Sequence, residues 1–179
     1  MWDVLIAGAG PAGSVAGALL ARAGARVMLL DRARFPRDKL CGDSLNPGTL
    51  ALLHRLNLSS WMSAHGMPIE GMLVTGPAGA RVEGRYPAGS LGRSIMRRDL
   101  DLALLTEAVR AGAQVDDGVV VRRVSVQTEG GTVPKRARGL VVSSRHGDLT
   151  LSAPVVIAAD GRRSAVAFGL GLARHPERP

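Results

Sequence analysis

The chain has one cysteine, few aromatic residues and almost no lysine. Cys41 is the single thiol in 179 residues, so no internal disulfide forms and the composition fits a reducing, cytoplasmic compartment. Aromatic residues make up 3%, too few for the stacking platforms that hold single-stranded nucleic acid in a basic groove. The net charge is nevertheless +8, and among 23 Lys and Arg only Lys39 and Lys135 are lysine. These arginines are scattered, which reads as a solvated surface and argues against nucleic acid as a partner; a basic face toward anionic lipid leaves peripheral membrane contact open. Four histidines, His54, His65, His146 and His175, stand too far apart for metal-ligand spacing, so no metal site is expected. A nucleophile elbow, a Ser-His-Asp pattern and an internal repeat are also missing.

A long uninterrupted hydrophobic run is missing too. Residues 4–21 carry no charge, but Gly8, Gly10, Pro11 and Gly13 break the stretch in its first half. A spanning helix of about 20 apolar residues does not tolerate that cluster well. A secretory signal needs a basic start, and Met1, Trp2 and Asp3 give none.

What is present is a strand, a glycine loop and a helix. Val4, Leu5, Ile6 and Ala7 suit a strand buried on both faces, and residues 11–23 are rich in Ala and Leu at helical spacing. Between them lies Gly8-Ala-Gly10-Pro11-Ala12-Gly13. In such a loop the first glycine makes the tight turn, the second admits a pyrophosphate and the third lets the helix pack closely on the sheet. The anion rests on the unpaired N–H groups of the first helical turn, so Pro11 and Ala12 belong to the site as well. Gly24 ends the helix, residues 26–30 read as a second strand, and Asp31 stands at its tip. There a carboxylate accepts from the ribose hydroxyls of an adenine dinucleotide and repels a 2′-phosphate. The fold class is therefore α/β.

Further along, the spacing predicts a helix at 47–56 with Asn46 as cap and Pro47 at its first position. Short strands are expected at 69–75, 80–86 and 91–96. A helix at 98–111 carries Leu100, Ala103, Leu104 and Ala108 on one stripe. Residues 119–127 and 140–144 read as strands around an exposed polar loop at 130–138, and 149–159 contains the last apolar strand, ending at Asp160-Gly161. Ser164 is expected to cap a helix at 165–170.

The glycine loop, the run FPRDKLCGDSLNPGTLALL at 35–53, Arg97-x-x-x-Asp101 and AADGRRS at 158–164 occur in this order in a known family. The chain resembles FAD-dependent oxidoreductases of the geranylgeranyl reductase group, within the wider fold of aromatic hydroxylases and flavin halogenases. The resemblance implies a Rossmann-like FAD/NAD(P)-binding fold with part of a β-sheet substrate domain: residues 1–68 as the FAD-binding segment, 69–96 as substrate-domain strands, and 97–179 as a second FAD-binding segment with a β-hairpin excursion. FAD is the implied cofactor and NAD(P)H one possible electron donor; the glycine loop alone leaves NAD open as the bound nucleotide.

By the same resemblance Arg97 approaches the FAD diphosphate, a task that suits a planar, permanently charged fork. The Asp160-Gly161 turn lies close to FAD, with a part in nicotinamide approach. Cys41-Gly42-Asp43 lies near the flavin ring, and Cys41 and Asp43 are the candidates beside the reaction. Cys41 is expected to serve packing or positioning rather than covalent catalysis, and Asp43 to order its loop by bonding its own backbone. Arg32, Arg34, Arg37 and Lys39 surround this loop as candidates to neutralise diphosphate charge, and Arg32 is counted with the cofactor-binding residues.

The implied reaction is hydride delivery from reduced flavin to a carbon–carbon double bond of an isoprenoid, a small apolar substrate. A monooxygenase or halogenase-like reaction is the alternative, and a non-catalytic nucleotide-binding remnant a third. Two departures from the family stand out. The chain ends at Pro179 where the relatives continue for about as long again, so a fragment truncated before the second FAD-contacting segment is expected. Near Ala167, where relatives often carry Arg, this chain has Ala.

Overall fold

The computed structural model describes residues 1–127, 136–144 and 147–174. In chain order the elements are β1 (Val4–Ala7), α1 (Pro11–Arg22), β2 (Val27–Asp31), β3 (Ser44–Leu45), α2 (Pro47–Arg55), β4 (Met67–Ile69), β5 (Gly71–Thr75), β6 (Arg81–Arg85), β7 (Gly92–Ser94), α3 (Arg97–Arg110), β8 (Gln114–Asp117), β9 (Val121–Gln127), β10 (Arg136–Ser144), β11 (Gly147–Ser152), β12 (Val155–Ala158) and α4 (Ala165–Gly169).

Three layers carry the fold. The middle layer is a parallel sheet in the order β12-β1-β2-β8, with Val4 opposite both Val27 and Val155. Because successive side chains of a strand point to opposite faces, β1 feeds two cores. Val4 and Ile6 join a cluster with Ala18 of α1 and Leu100, Leu104 and Ala108 of α3. Leu5 and Ala7 join Leu30 and face Val124, Leu140 and Val142 of the antiparallel sheet β11-β10-β9. This double cover explains why β1 is apolar at every position and fully buried rather than alternating. Burying a side chain such as Leu5 or Ile6 contributes about 1.5–3 kcal/mol.

Two smaller sheets lie outside these layers. One is β3-β7-β4, and the other is the β5–β6 hairpin, whose Met72, Leu73, Val74 and Val82 are exposed. Among the described residues no helix is long and apolar enough to cross a membrane.

Several expectations need correction. The stretch expected as one strand at 69–75 holds the end of β4 and all of β5, separated at Glu70. The apolar stretch at 149–159 is likewise two strands in different sheets, β11 pairing with β10 and β12 with β1; Ala153 and Pro154 separate them, and proline cannot donate within a ladder. The strand β8, paired with β2, was not anticipated. Of the polar loop expected at 130–138, positions 130–135 lie outside the described residues, as do His146 and His175.

Candidate functional site

The site is built at the carboxyl ends of β1, β2 and β12. Gly8 leaves β1 at φ +94, a region favouring glycine, and its N–H donates to the Leu30 carbonyl at 2.7 Å. A Cβ on Gly8 would collide with the Ala159 carbonyl and come within 2.8 Å of Asp160 Cα. One on Gly13 would collide with the Gly8 carbonyl. Both glycines are therefore required by packing. Gly10 is different: the nearest atom to its absent Cβ is Arg37 Nη2 at 3.4 Å, an ordinary contact with a side chain rather than a clash with backbone, so packing within the chain does not require glycine there. Gly10 also caps α1 without a side chain, and the first turn holds no acid. That leaves the N–H groups of Ala12 and Gly13, with the positive end of the helix dipole, for an external anion.

Asp31, at the tip of β2, accepts the Ala9 N–H at 2.8 Å through Oδ2 and the Ala33 N–H at 2.9 Å through Oδ1. It thus holds the glycine loop in shape, and each carboxylate oxygen keeps a further lone pair for a hydroxyl.

The positive charge of the site is organised around Asp101, whose side chain is completely buried on α3. Arg97, one turn earlier, grips it with Nε to Oδ1 at 2.7 Å and Nη2 to Oδ2 at 2.9 Å. Arg37 reaches the same Oδ2 with Nη2 at 3.0 Å and lies over the Phe35 ring, 4.9 Å from its centroid. One carboxylate between two guanidiniums leaves the cluster net positive. Arg37 Nη1 is buried without a hydrogen-bond partner among the described residues. So it is Arg37 that is brought to the glycine loop, while the Arg97 fork is engaged by Asp101. Arg32 and Lys39 are exposed, and Arg34 lies against Gly118.

Cys41 is solvent-exposed among the described residues. Its thiol is pushed below the ordinary range, first by a hydrogen bond from the Arg97 side chain and then by the N–H groups of Asp43 and Gly42. Asp43 differs from expectation. Its carboxylate does not fold back on its own loop but accepts the Arg97 N–H at 3.1 Å, and its carbonyl accepts the Ile95 N–H at 2.9 Å. α3 begins at Met96 without a side-chain cap of its own, and Asp43 fills that role from across the chain.

On the other side of the loop, Asp160 follows β12. Its Oδ2 accepts the Ala165 N–H at 2.7 Å and Ser164 Oγ accepts the Ala167 N–H at 2.9 Å, so together they start α4. Asp160 Oδ1 is buried without a partner among the described residues, and Gly161 turns the chain at φ +86. The glycine loop is therefore flanked by one unpaired donor and one unpaired acceptor. FAD carries what each lacks, namely diphosphate oxygens and sugar-alcohol hydroxyls, and a Gly10 without a side chain, facing the Arg37 guanidinium, suits the diphosphate.

Sequence reasoning passed over Asp101 as a shared counter-ion and Asp117, which accepts the Phe35 N–H at 2.9 Å and fixes the basic loop to β8. The i,i+4 spacing of Arg97 and Asp101 was a readable signal for one half of the cluster. Nothing local pointed to Arg37 as the other half.

A family model described as "FAD binding domain" matches residues 1–179. The chain is 36% identical over 182 residues to a menaquinone reductase of Mycolicibacterium smegmatis, covering 98% of this chain and 41% of that protein. It is 33% identical over 172 residues to digeranylgeranylglycerophospholipid reductase 1 of Methanopyrus kandleri, covering 96% and 42%. Among solved structures, the myxobacterial chondrochloren halogenase CndH aligns with a TM-score of 0.77 at 28% identity, covering 94% of this chain and 39% of that one. The chain thus spans about two fifths of the length of these relatives.

Proposed function

The chain belongs to the FAD-binding domain family, with FAD as its cofactor, and on that premise we propose that it serves an oxidoreductase reaction in which hydride passes to a carbon–carbon double bond of an isoprenoid chain. The observation that carries this reading is the ion-paired cluster of Arg37, Asp101 and Arg97 beside the glycine loop, with the exposed Cys41 near enough to Arg97 for its thiol to be pushed down. The cluster joins a diphosphate cradle at one end to an exposed thiol at the other.

In this reading FAD, when bound, supplies the hydride. The chain's residues bind and orient it: Gly10 clears room for the diphosphate, Arg37 Nη1 donates to its oxygens, Asp31 accepts from ribose hydroxyls and Asp160 Oδ1 from a further hydroxyl. Cys41, held beside Arg97, fronts the substrate. The two reductases that the chain resembles are named for substrates bearing polyprenyl chains, which supports an isoprenoid lipid. Such a lipid is reached at a membrane surface, so peripheral contact belongs to the same proposal.

The likeness to a halogenase supports a second reading, oxygen-dependent hydroxylation or halogenation. The test is to titrate the chain with FAD, reduce the complex, and offer a polyprenyl substrate with and without oxygen. Saturable flavin binding and a product that has gained two hydrogens without oxygen uptake is the expected result. A product formed only with stoichiometric oxygen uptake would favour the second reading, and saturable binding without turnover would leave a nucleotide-binding module.

A further inference from the structure

We propose that Asp101 is a positioning residue for diphosphate recognition, acting through Arg37; the proposal rests on the FAD reading above.

A fully buried carboxylate is expensive to desolvate, and apolar replacement of such ion pairs is often as stable, so Asp101 is poorly explained as a device for stability alone. Its geometry explains it better. Oδ2 takes Nη2 of both arginines, at 2.9 Å from Arg97 and 3.0 Å from Arg37. Arg97 is already fixed by its own helix, since Nε binds Oδ1 of the same carboxylate one turn away and its backbone N–H is held by Asp43. Arg37 comes from a loop and has no such support. It is held by two contacts: Asp101 at Nη2, and the Phe35 ring against its face. Those contacts stop a flexible side chain from rotating, set Nη2 3.4 Å from where a Cβ of Gly10 would stand, and leave Nη1 of the same guanidinium as the unpaired donor. The arrangement prepares a charged donor before the anion arrives, so less side-chain ordering remains to be done on binding. The excess positive charge of two guanidiniums on one carboxylate is then completed by the ligand.

The pair ADP and adenosine reads this role separately from general folding, because the two differ only in the diphosphate. Binding of each is measured by calorimetry to the unaltered chain, Asp101→Asn, Arg37→Gln and the double variant. Asparagine keeps the size of the side chain but replaces one acceptor with a donor facing a guanidinium. ADP affinity is expected to fall on the order of tenfold in each single variant, with adenosine affinity unchanged. The double variant is expected to lose little more than either single one, since both act on one contact. An unchanged ADP-to-adenosine ratio in Asp101→Asn, or equal losses on both ligands, would overturn the positioning role alone. No preference for ADP over adenosine in the unaltered chain would overturn the diphosphate reading beneath it. Should Asp101→Asn fail to fold, Arg37→Gln still decides: retention of the full preference for ADP there would also overturn the proposal.

Discussion

Asp31 Oδ2 accepts the backbone N–H of Ala9 at 2.8 Å, so the acid at the end of the second strand shapes the glycine loop before any nucleotide is present. Asp31→Ala removes the acceptor for Ala9 and for Ala33 together. The expected cost is about 1–3 kcal/mol of stability in the nucleotide-free protein, read by urea denaturation. Unchanged stability with weakened nucleotide binding would mean that Asp31 acts on ribose alone.

The three glycines of the loop are expected to respond differently. The Cβ of Gly10→Val meets only the Arg37 guanidinium, at 3.4 Å, and no backbone, so circular dichroism and melting temperature should change little while FAD affinity falls by more than about tenfold, its diphosphate excluded. Gly13→Ala sets a methyl group against the Gly8 carbonyl and should lower the melting temperature itself. If Gly10→Val binds FAD normally, the diphosphate does not pass there.

Cys41 should react as a thiolate at lower pH than an ordinary cysteine. Arg97 and the N–H groups of Asp43 and Gly42 favour the charged form, and the side chain is exposed. The pH profile of iodoacetamide alkylation is expected to have its midpoint below the unperturbed value of about 8.5, and Arg97→Gln to move it upward. A midpoint that ignores Arg97 would show that the hydrogen bond is not made in solution.

Asp3 ties the amino terminus to the start of β2. Its carboxylate accepts the Arg26 N–H at 2.8 Å and the Arg26 guanidinium at 2.7 and 3.0 Å. First the side-chain and then the backbone hydrogen bond holds its pKa well below the carboxylate range. A carboxyl lowered by folding adds stability that is present above its unfolded value, about 3.9, and is lost as pH falls toward its folded value. Asp3→Asn should therefore melt slightly lower than the unaltered chain at pH 7, with the difference narrowing below about pH 4. A difference independent of pH would point to the lost hydrogen-bond geometry rather than the charge.

What was readable in the sequence is what adjacent residues decide. The strand, loop, helix and Asp31 follow one another within one stretch of chain, and backbone sterics assign Gly8 and Gly13 there. Asn46 and Ser164 were legible as caps for the same reason, and each accepts from the N–H three residues on. β8 was not legible, because Gln114-Val-Asp-Asp117 has one apolar residue and sits at the rim of the sheet with alternate positions exposed. Asp43 and Asp101 were misread or passed over because their partners lie far along the chain: Asp43 binds the Arg97 backbone, and Asp101 binds Arg37. A charged residue on an otherwise amphipathic helix reads as solvent-facing until the counter-charge is known.

The parallel sheet sets β1 beside β12, Val4 on Val155, with Gly8 closed against Ala159. During synthesis β1 leaves the ribosome well before β12, so it waits beside β2 with one edge unpaired until Val155–Ala158 has emerged. Loop closure over that distance is slow relative to local pairing. The nascent chain therefore carries an incomplete cradle until β12 has emerged, and a message cut short before the codon for Val155 yields a product with an open sheet edge at β1.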